Sequence, residues 1–107
     1  MLLSLKFKYI SLNVLKTYKK LFPDVILGLS DHTLGNEASL VAVALGASII
    51  EKHVTMDRNL PGPDHQASST IQEFAQLVKS IRRVEEILGI DNLYDPQNIE
   101  ILHCIQQ

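Results

Sequence analysis

Val25-Ile-Leu-Gly-Leu-Ser-Asp-His-Thr33 and Ser48-Ile-Ile-Glu-Lys-His-Val-Thr55 are the two segments that decide the fold. Each contains an apolar run that leads to a histidine, and such runs are typical of strands buried on both faces. We therefore predict strands over Val25–Leu29 and Ser48–Val54. Their histidines lie 21 residues apart, the repeat distance of a strand–helix–strand unit. Parallel strands of such a unit end at the same edge of a sheet, so both imidazoles are expected at one rim.

Three helices are predicted around these strands from apolar periodicity and capping residues. They run from Ser11 or Asn13 to Phe22, over residues 38–45 between Asn36 and Gly46, and from the capping box Thr70-Ile-Gln-Glu73 to Gly89. The order α-β-α-β-α predicts an α/β fold with parallel strands. Two strands make no stable sheet alone, and 107 residues are too few for a complete barrel, so neighbouring segments are expected to be missing.

Composition excludes several classes of protein. The formal net charge of −2 comes without any basic patch, which argues against nucleic acid or an anionic membrane surface as partner. No apolar run is long enough to span a membrane, and the lysine-interrupted start is too short for a signal peptide. Cys104 is the only cysteine, so no internal disulfide can form. We expect a cytoplasmic protein with one domain, in which residues 1–10 stay unassigned and residues 91–107 form a weakly patterned tail.

Four side chains at the two strand ends are candidates for chemistry. Because side chains alternate along a strand, Ser30 shares a face with His32, and Glu51 shares a face with His53. In parallel α/β folds the carboxyl ends of strands form the rim where ligands bind. Two imidazoles and a carboxylate suit a divalent metal ion. The alternative, that each histidine is a hydrogen-bonded residue packed at a strand end, stays open on spacing alone.

The neighbouring polar residues favour structural roles. Asp31 lies on the opposite face and is expected to tether the adjacent helix or loop, and Lys52 is expected to be solvated or salt-bridged. In the long loop over residues 55–69, the prolines of Pro61-Gly-Pro-Asp-His65 restrict the backbone around Asp64. That loop is interpreted either as a functional segment or as a proline-stiffened surface turn.

Several separated motifs resemble the sialic acid synthase family, which includes N-acetylneuraminate synthase and its legionaminate and pseudaminate relatives. The match covers roughly residues 11–90 and rests on motifs that occur in order: Gly28-Leu-Ser-Asp-His-Thr33, Ala42-Val-Ala-Leu-Gly-Ala47, Ile50-Glu-Lys-His-Val-Thr55, Asp57-Arg58 and Gly62-Pro-Asp-His65. The resemblance implies a C-terminal fragment of a TIM (β/α)8 barrel, from helix 6 to helix 8. It also implies an enzyme that condenses phosphoenolpyruvate with an N-acetylmannosamine-type sugar to a nonulosonic acid.

The resemblance also implies roles for individual residues. His32 and His53 correspond to the ligands of the catalytic divalent metal, Mn²⁺ or Mg²⁺. Ser30 corresponds to a residue near phosphoenolpyruvate, while Glu51 and Asp64 correspond to catalytic residues that hold the N-acyl amino sugar.

The family's N-terminal strands and its C-terminal antifreeze-like domain have no counterpart here, and Val54 stands where an aromatic residue is common. The isolated chain is therefore expected to be inactive and to associate with missing barrel segments or with a second copy of itself. Two alternatives remain: a non-catalytic metal-binding or assembly module, and a fragment of another metal-dependent barrel aldolase.

Overall fold

Residues 10–66 and 68–89 are described by the computed structural model of the chain, Pro63 and Asp64 by their backbone alone. Residues 1–9, the end of the predicted core at residue 90 and the tail over residues 91–107 lie outside this description. The described elements are α1 (Val14–Leu21), β1 (Gly28–Asp31), α2 (Glu37–Ala44), β2 (Ile49–Lys52), β3 (Val54–Thr55), α3 (Pro63–Gln66), β4 (Ser69–Thr70) and α4 (Ile71–Leu88). The five predicted elements are thus present in the predicted order; the second strand is divided into β2 and β3, and the short elements α3 and β4 are added.

The two main strands form a parallel pair, as predicted. The register runs from Gly28 opposite Ile49 to Asp31 opposite Lys52. Gly28 lies so close to its partner strand that an added Cβ would stand 2.8 Å from the carbonyl oxygen of Ile49. Because backbone atoms cannot yield at that distance, glycine at this position permits the close approach that starts the pairing.

Helices cover one face of this pair. A small apolar cluster of Leu15 from α1, Ala42 from α2 and Ala47 forms the core, and Leu29 and Ile50 pack against it from the strands. Helix α4 packs on α2, where the Leu77 side chain is 1% exposed. Small alanine side chains explain how α2 lies so close to the sheet.

The other face of the strand pair is uncovered in the described part of the chain. Ser30 and Glu51 are exposed there, and Ile49 is 59% exposed. The prediction of strands buried on both faces is therefore wrong for this chain. An apolar run indicates that a strand is suited to burial on both faces. The described residues cover only one face with helices, so the other face stays exposed.

Strand boundaries also differ from the prediction. Val25 and Ile26 precede β1 and are 53% and 72% exposed, because the partner segment pairs with the first strand only from Ser48 onward. The second predicted strand divides into β2 and β3 around His53. Its second part pairs with β4 in parallel, Val54 opposite Ser69 and Thr55 opposite Thr70.

Helix ends agree with the predictions to within two residues. Thr70 and Glu73 form the expected capping box at the start of α4, and Gly89 ends it. Asn36 precedes α2 as expected, but its side chain makes no capping hydrogen bond. Among the described helices, none combines the length and the apolar character that crossing a membrane would require.

Candidate functional site

The uncovered face brings the four candidate side chains together at the ends of β1 and β2. Ser30 Oγ donates a hydrogen bond of 2.7 Å to Glu51 Oε1 across the pair, and it lies 3.1 Å from His32 Nε2. The His32 and His53 rings meet edge to face, with centroids 5.3 Å apart and planes at 61°. The predicted common rim is confirmed.

Ser30 contacts two of the rim residues at once. A hydroxyl has one hydrogen, so a Ser30 hydroxyl that donates to Glu51 can only accept from His32. The Nε2 atom of His32 is engaged by Ser30 in this arrangement, and that contact would have to open before Nε2 could bind another ligand.

The two imidazoles fit part of a metal shell. A centroid separation of 5.3 Å is compatible with two imidazoles on one ion, for which metal–nitrogen distances of about 2.0–2.1 Å are usual. Imidazole nitrogen suits transition-metal ions better than Mg²⁺, which prefers oxygen. Within residues 10–66 and 68–89, no group of three or more histidines, cysteines or carboxylates surrounds a common point. The described residues thus offer two candidate ligands, and any metal ion bound there would need water or substrate to supply the others.

Behind the rim, on the helix-covered face, Asp31 lies in a buried hydrogen-bond network. Its Oδ1 accepts from the backbone N–H and the hydroxyl of Thr33 at 2.9 and 2.6 Å, and its Oδ2 accepts from Ser39 at 2.5 Å. Lys52 Nζ lies 3.2 Å from the same Oδ2. Burial raises the pKa of Asp31, but the hydrogen bonds from Ser39 and Thr33, with the Lys52 charge, outweigh it and hold the pKa below its ordinary value. The predicted tether of Asp31 to the adjacent helix and loop is confirmed, as is the salt-bridged state of Lys52.

The loop after the rim is held at two points. Thr55 Oγ1 lies 2.5 Å from His65 Nδ1, and it donates to the carbonyl of Asp57 at 3.0 Å. Arg58 donates through Nε to the carbonyl of Ser68 at 3.1 Å and forms an ion pair with Glu73. Helix α3 contains Asp64, whose side chain lies outside the description, so its predicted place at the sugar stays a prediction.

Glu73 joins this loop to the start of α4. It accepts from the Thr70 backbone N–H at 2.9 Å, and its own N–H donates to Thr70 Oγ1 at 3.2 Å. The hydrogen bond from Arg58 and that from the Thr70 backbone lower the pKa of Glu73 to about 2. A carboxylate with such partners stays ionised throughout the physiological range.

Sequence reasoning missed the partners that order the site. Thr33 and Ser39 were not singled out, although Asp followed two residues later by Thr is a common side-chain-capped turn. The β3–β4 pair was also missed, because two-residue strands carry no periodicity that distinguishes them from loop. Arg58 was noted for its charge, but its partner Glu73 lies 15 residues away and was found only in the structure.

Comparison with known proteins identifies relatives over most of the chain. The model of the NeuB family matches residues 4–92. N-acetylneuraminate-9-phosphate synthase of Homo sapiens is 48% identical over 80 residues, which cover 75% of this chain and 22% of that protein. N,N'-diacetyllegionaminic acid synthase of Campylobacter jejuni is 45% identical over 83 residues, 78% of this chain and 25% of that protein.

A solved structure resembles the chain closely. The N-acetylneuraminic acid synthetase of Leptospira borgpetersenii, crystallised with citrate, superposes with a TM-score of 0.80 at 36% identity, over 96% of this chain and 36% of that one. The α/β fold is therefore similar to that of sialic acid synthetases. The chain spans about a quarter of the length of the curated relatives it matches.

Proposed function

Because the chain belongs to the NeuB family, whose named relatives are synthases of sialic-type acids, we propose that it is the metal-binding portion of such a synthase. The reaction joins phosphoenolpyruvate to an N-acetylmannosamine-type sugar, consumes one water and releases phosphate. The observation that carries the proposal is the convergence of Ser30, His32, Glu51 and His53 on one rim. Family membership decides against an aldolase from another barrel family.

The fold supports an assignment of the helices and strands to positions in the barrel of a full-length synthase. We assign α1, β1, α2, β2 and α4 to helix 6, strand 7, helix 7, strand 8 and helix 8 of a TIM barrel. Parallel pairing, helices on one face and polar candidates at the carboxyl rim all agree with that assignment. The uncovered face then corresponds to the barrel interior, where the other strands would complete the site.

The positions of the four rim residues support a role for each of them, and Asp64 is added on the family resemblance alone. A divalent ion, Mn²⁺ in preference to Mg²⁺ for these nitrogen donors, would polarise the sugar carbonyl as a Lewis acid. His32 and His53 would hold it. Glu51 is exposed, and no ion pair among the described residues includes it, so its carboxylate can accept hydrogen bonds from the sugar. Ser30 orients Glu51 and can donate to phosphoenolpyruvate after rotation, while Asp64 is proposed to contact the sugar from the loop.

We further propose that the 107-residue chain is inactive by itself and self-associates. The described residues offer only two candidate metal ligands and leave one face of the strand pair uncovered. Exposed apolar side chains favour association with copies of the chain or with missing barrel segments; they are Val25 and Ile26, which precede β1, and Ile49 at the start of β2.

Metal titration tests the site directly. Calorimetry with Mn²⁺ or Co²⁺ is expected to give weak binding to the wild-type chain and none to His32→Ala/His53→Ala. His65→Ala is the matched control, because His65 contacts Thr55 in the loop and takes no part in the rim pair. Equal heats for the wild type and the double variant would refute the metal site.

A chimera tests the catalytic assignment. Residues 11–89 replace the matching segment of the Campylobacter jejuni legionaminic acid synthase, and turnover of that enzyme's own substrates is followed by phosphate release. We expect activity in the chimera and its loss in the Glu51→Gln chimera at an unchanged thermal midpoint. A Glu51→Gln chimera that is destabilised but active would place the carboxylate in the scaffold. The free chain with phosphoenolpyruvate, N-acetylmannosamine and Mn²⁺ should release no phosphate.

A further inference from the structure

A buried ion pair lies directly behind the two rim histidines. Asp31 and Lys52 face each other as the last paired residues of β1 and β2, and each immediately precedes one of the histidines. Their charged atoms are 3.2 Å apart, and their side chains are 0% and 3% exposed. Buried ion pairs contribute little net stability, since desolvation offsets the attraction. The pair therefore calls for an explanation other than stability.

The network around the pair holds the backbone on both sides of His32. Asp31 lies before His32, and Thr33 after it donates twice to the Asp31 carboxylate. Lys52 reaches across from β2 and donates to the carbonyl of Thr33 at 2.9 Å. Ser39, in the first turns of α2, donates to the same carboxylate. Four polar groups from three segments thus converge on the residues that flank one histidine.

The two histidines differ in how they are held. Both lie one residue beyond the last β1–β2 pair, in which Asp31 stands opposite Lys52. The carbonyl of His53 accepts a 2.9 Å hydrogen bond from the backbone N–H of Ser69, at the start of the β3–β4 pair. On the His32 side, the flanking residues Asp31 and Thr33 are held by the buried network.

We infer that Asp31 and Lys52 are positioning residues that set the separation of the His32 and His53 rings from the opposite face of the sheet. The Asp31 and Lys52 side chains are held on the helix-covered face, which fixes the backbone at these two residues. Because side chains alternate along a strand, the side chains of the following residues, His32 and His53, then point to the other face. The ion pair thereby fixes the backbone immediately before each imidazole, at the residues where the β1–β2 pairing ends. The consequence for metal affinity rests on the function proposed above, whereas the consequence for ring geometry does not.

Proton NMR on the full chain tests the inference without any metal. Wild type should show nuclear Overhauser cross-peaks between the ring protons of His32 and His53, whose centroids are 5.3 Å apart. Lys52→Met keeps an unbranched side chain, one atom shorter than lysine, but removes the ammonium group and with it the ion pair, and the inter-ring cross-peaks should fall several-fold. Arg82→Met, which breaks the exposed Arg82–Glu85 pair, is the control and should leave them unchanged. Leu77 methyl cross-peaks in the α2–α4 contact report whether the fold is intact.

A milder variant covers the case in which Lys52→Met does not fold. Ser39→Ala removes one hydrogen bond to Asp31 and leaves both charges paired, so a partial loss of the inter-ring cross-peaks is expected. Cross-peaks of wild-type intensity in a folded Lys52→Met chain, or in Ser39→Ala where Lys52→Met is unfolded, would overturn the inference.

Cobalt titration then separates this inference from the proposed function. Lys52→Met should weaken histidine-dependent Co²⁺ binding about tenfold, the lower end for residues that orient metal ligands. Loss of the cross-peaks in a chain that never binds Co²⁺ would support positioning and refute the metal site. Unchanged cross-peaks in Lys52→Met together with histidine-dependent Co²⁺ binding would refute the positioning role and support the metal site.

Discussion

Glu73 offers the most quantitative test of how the loop is anchored. Its carboxylate caps the start of α4 through the Thr70 backbone N–H and also pairs with Arg58 of the loop. Glu73→Ala removes both contacts, and Glu73→Gln keeps an accepting oxygen for the cap but loses the charge. The two variants therefore separate capping from ion pairing.

The expected cost follows from exposure. The Glu73 side chain is 44% exposed and that of Arg58 40%, so solvent screens the pair and its contribution is about 0.2–1 kcal/mol. Thr70 remains as the N-cap, so Glu73→Ala loses only the hydrogen bond to the Thr70 backbone N–H, at about 1 kcal/mol. Glu73→Ala should thus lower the free energy of unfolding by about 1–2 kcal/mol at pH 7, and Glu73→Gln by about 0.5–1 kcal/mol.

Acid provides a second signature of the same contact. Folding lowers the pKa of Glu73 from 4.5 to about 2, so the folded state favours the carboxylate. Its contribution is fully present above pH 4.5 and is lost as the pH falls toward 2. The difference between wild type and Glu73→Gln should accordingly shrink over that interval.

Urea unfolding followed by circular dichroism measures both effects. Several protein concentrations separate unfolding from self-association, which makes the midpoint depend on concentration. Glu85→Gln is the matched control, because its pair with Arg82 lies on the same helix with side chains 51% and 70% exposed. A Glu73→Ala chain as stable as the Glu85→Gln chain would refute the anchoring role.

Three further predictions concern the scaffold. Leu77→Ala should cost about 2–5 kcal/mol in urea unfolding, because the side chain is 1% exposed, whereas Ile87→Ala, at an 82% exposed position, should cost under about 0.5 kcal/mol. Gly28→Ala should cost about 1–3 kcal/mol and weaken amide protection across β1 and β2, since its Cβ would meet the Ile49 carbonyl at 2.8 Å. The lowered pKa of Asp31 means that its stabilisation is present above pH 3.8 and lost below it, so acid should destabilise wild type more than Asp31→Asn. The first prediction is contradicted if Leu77→Ala and Ile87→Ala are equally stable. The second is contradicted if amide protection in Gly28→Ala equals that of wild type, and the third if wild type and Asp31→Asn lose stability in parallel as the pH falls.

The sequence by itself determined the order of the five main elements and the facing of the rim residues. Apolar runs, the Thr70–Glu73 capping box and Gly89 are local properties, and strand alternation alone puts Ser30 with His32 and Glu51 with His53. Those predictions hold because they require only neighbours along the chain.

The tertiary structure alone decided burial, register and the long-range polar partners. Val25 begins an apolar run yet is exposed, because burial depends on which segments surround a strand and not on its own sequence. The β1–β2 register, the Arg58–Glu73 pair and the network that joins Asp31 to Ser39 and Lys52 connect residues 8 to 21 positions apart. Such contacts form only when the chain folds back on itself, so no local pattern could specify them.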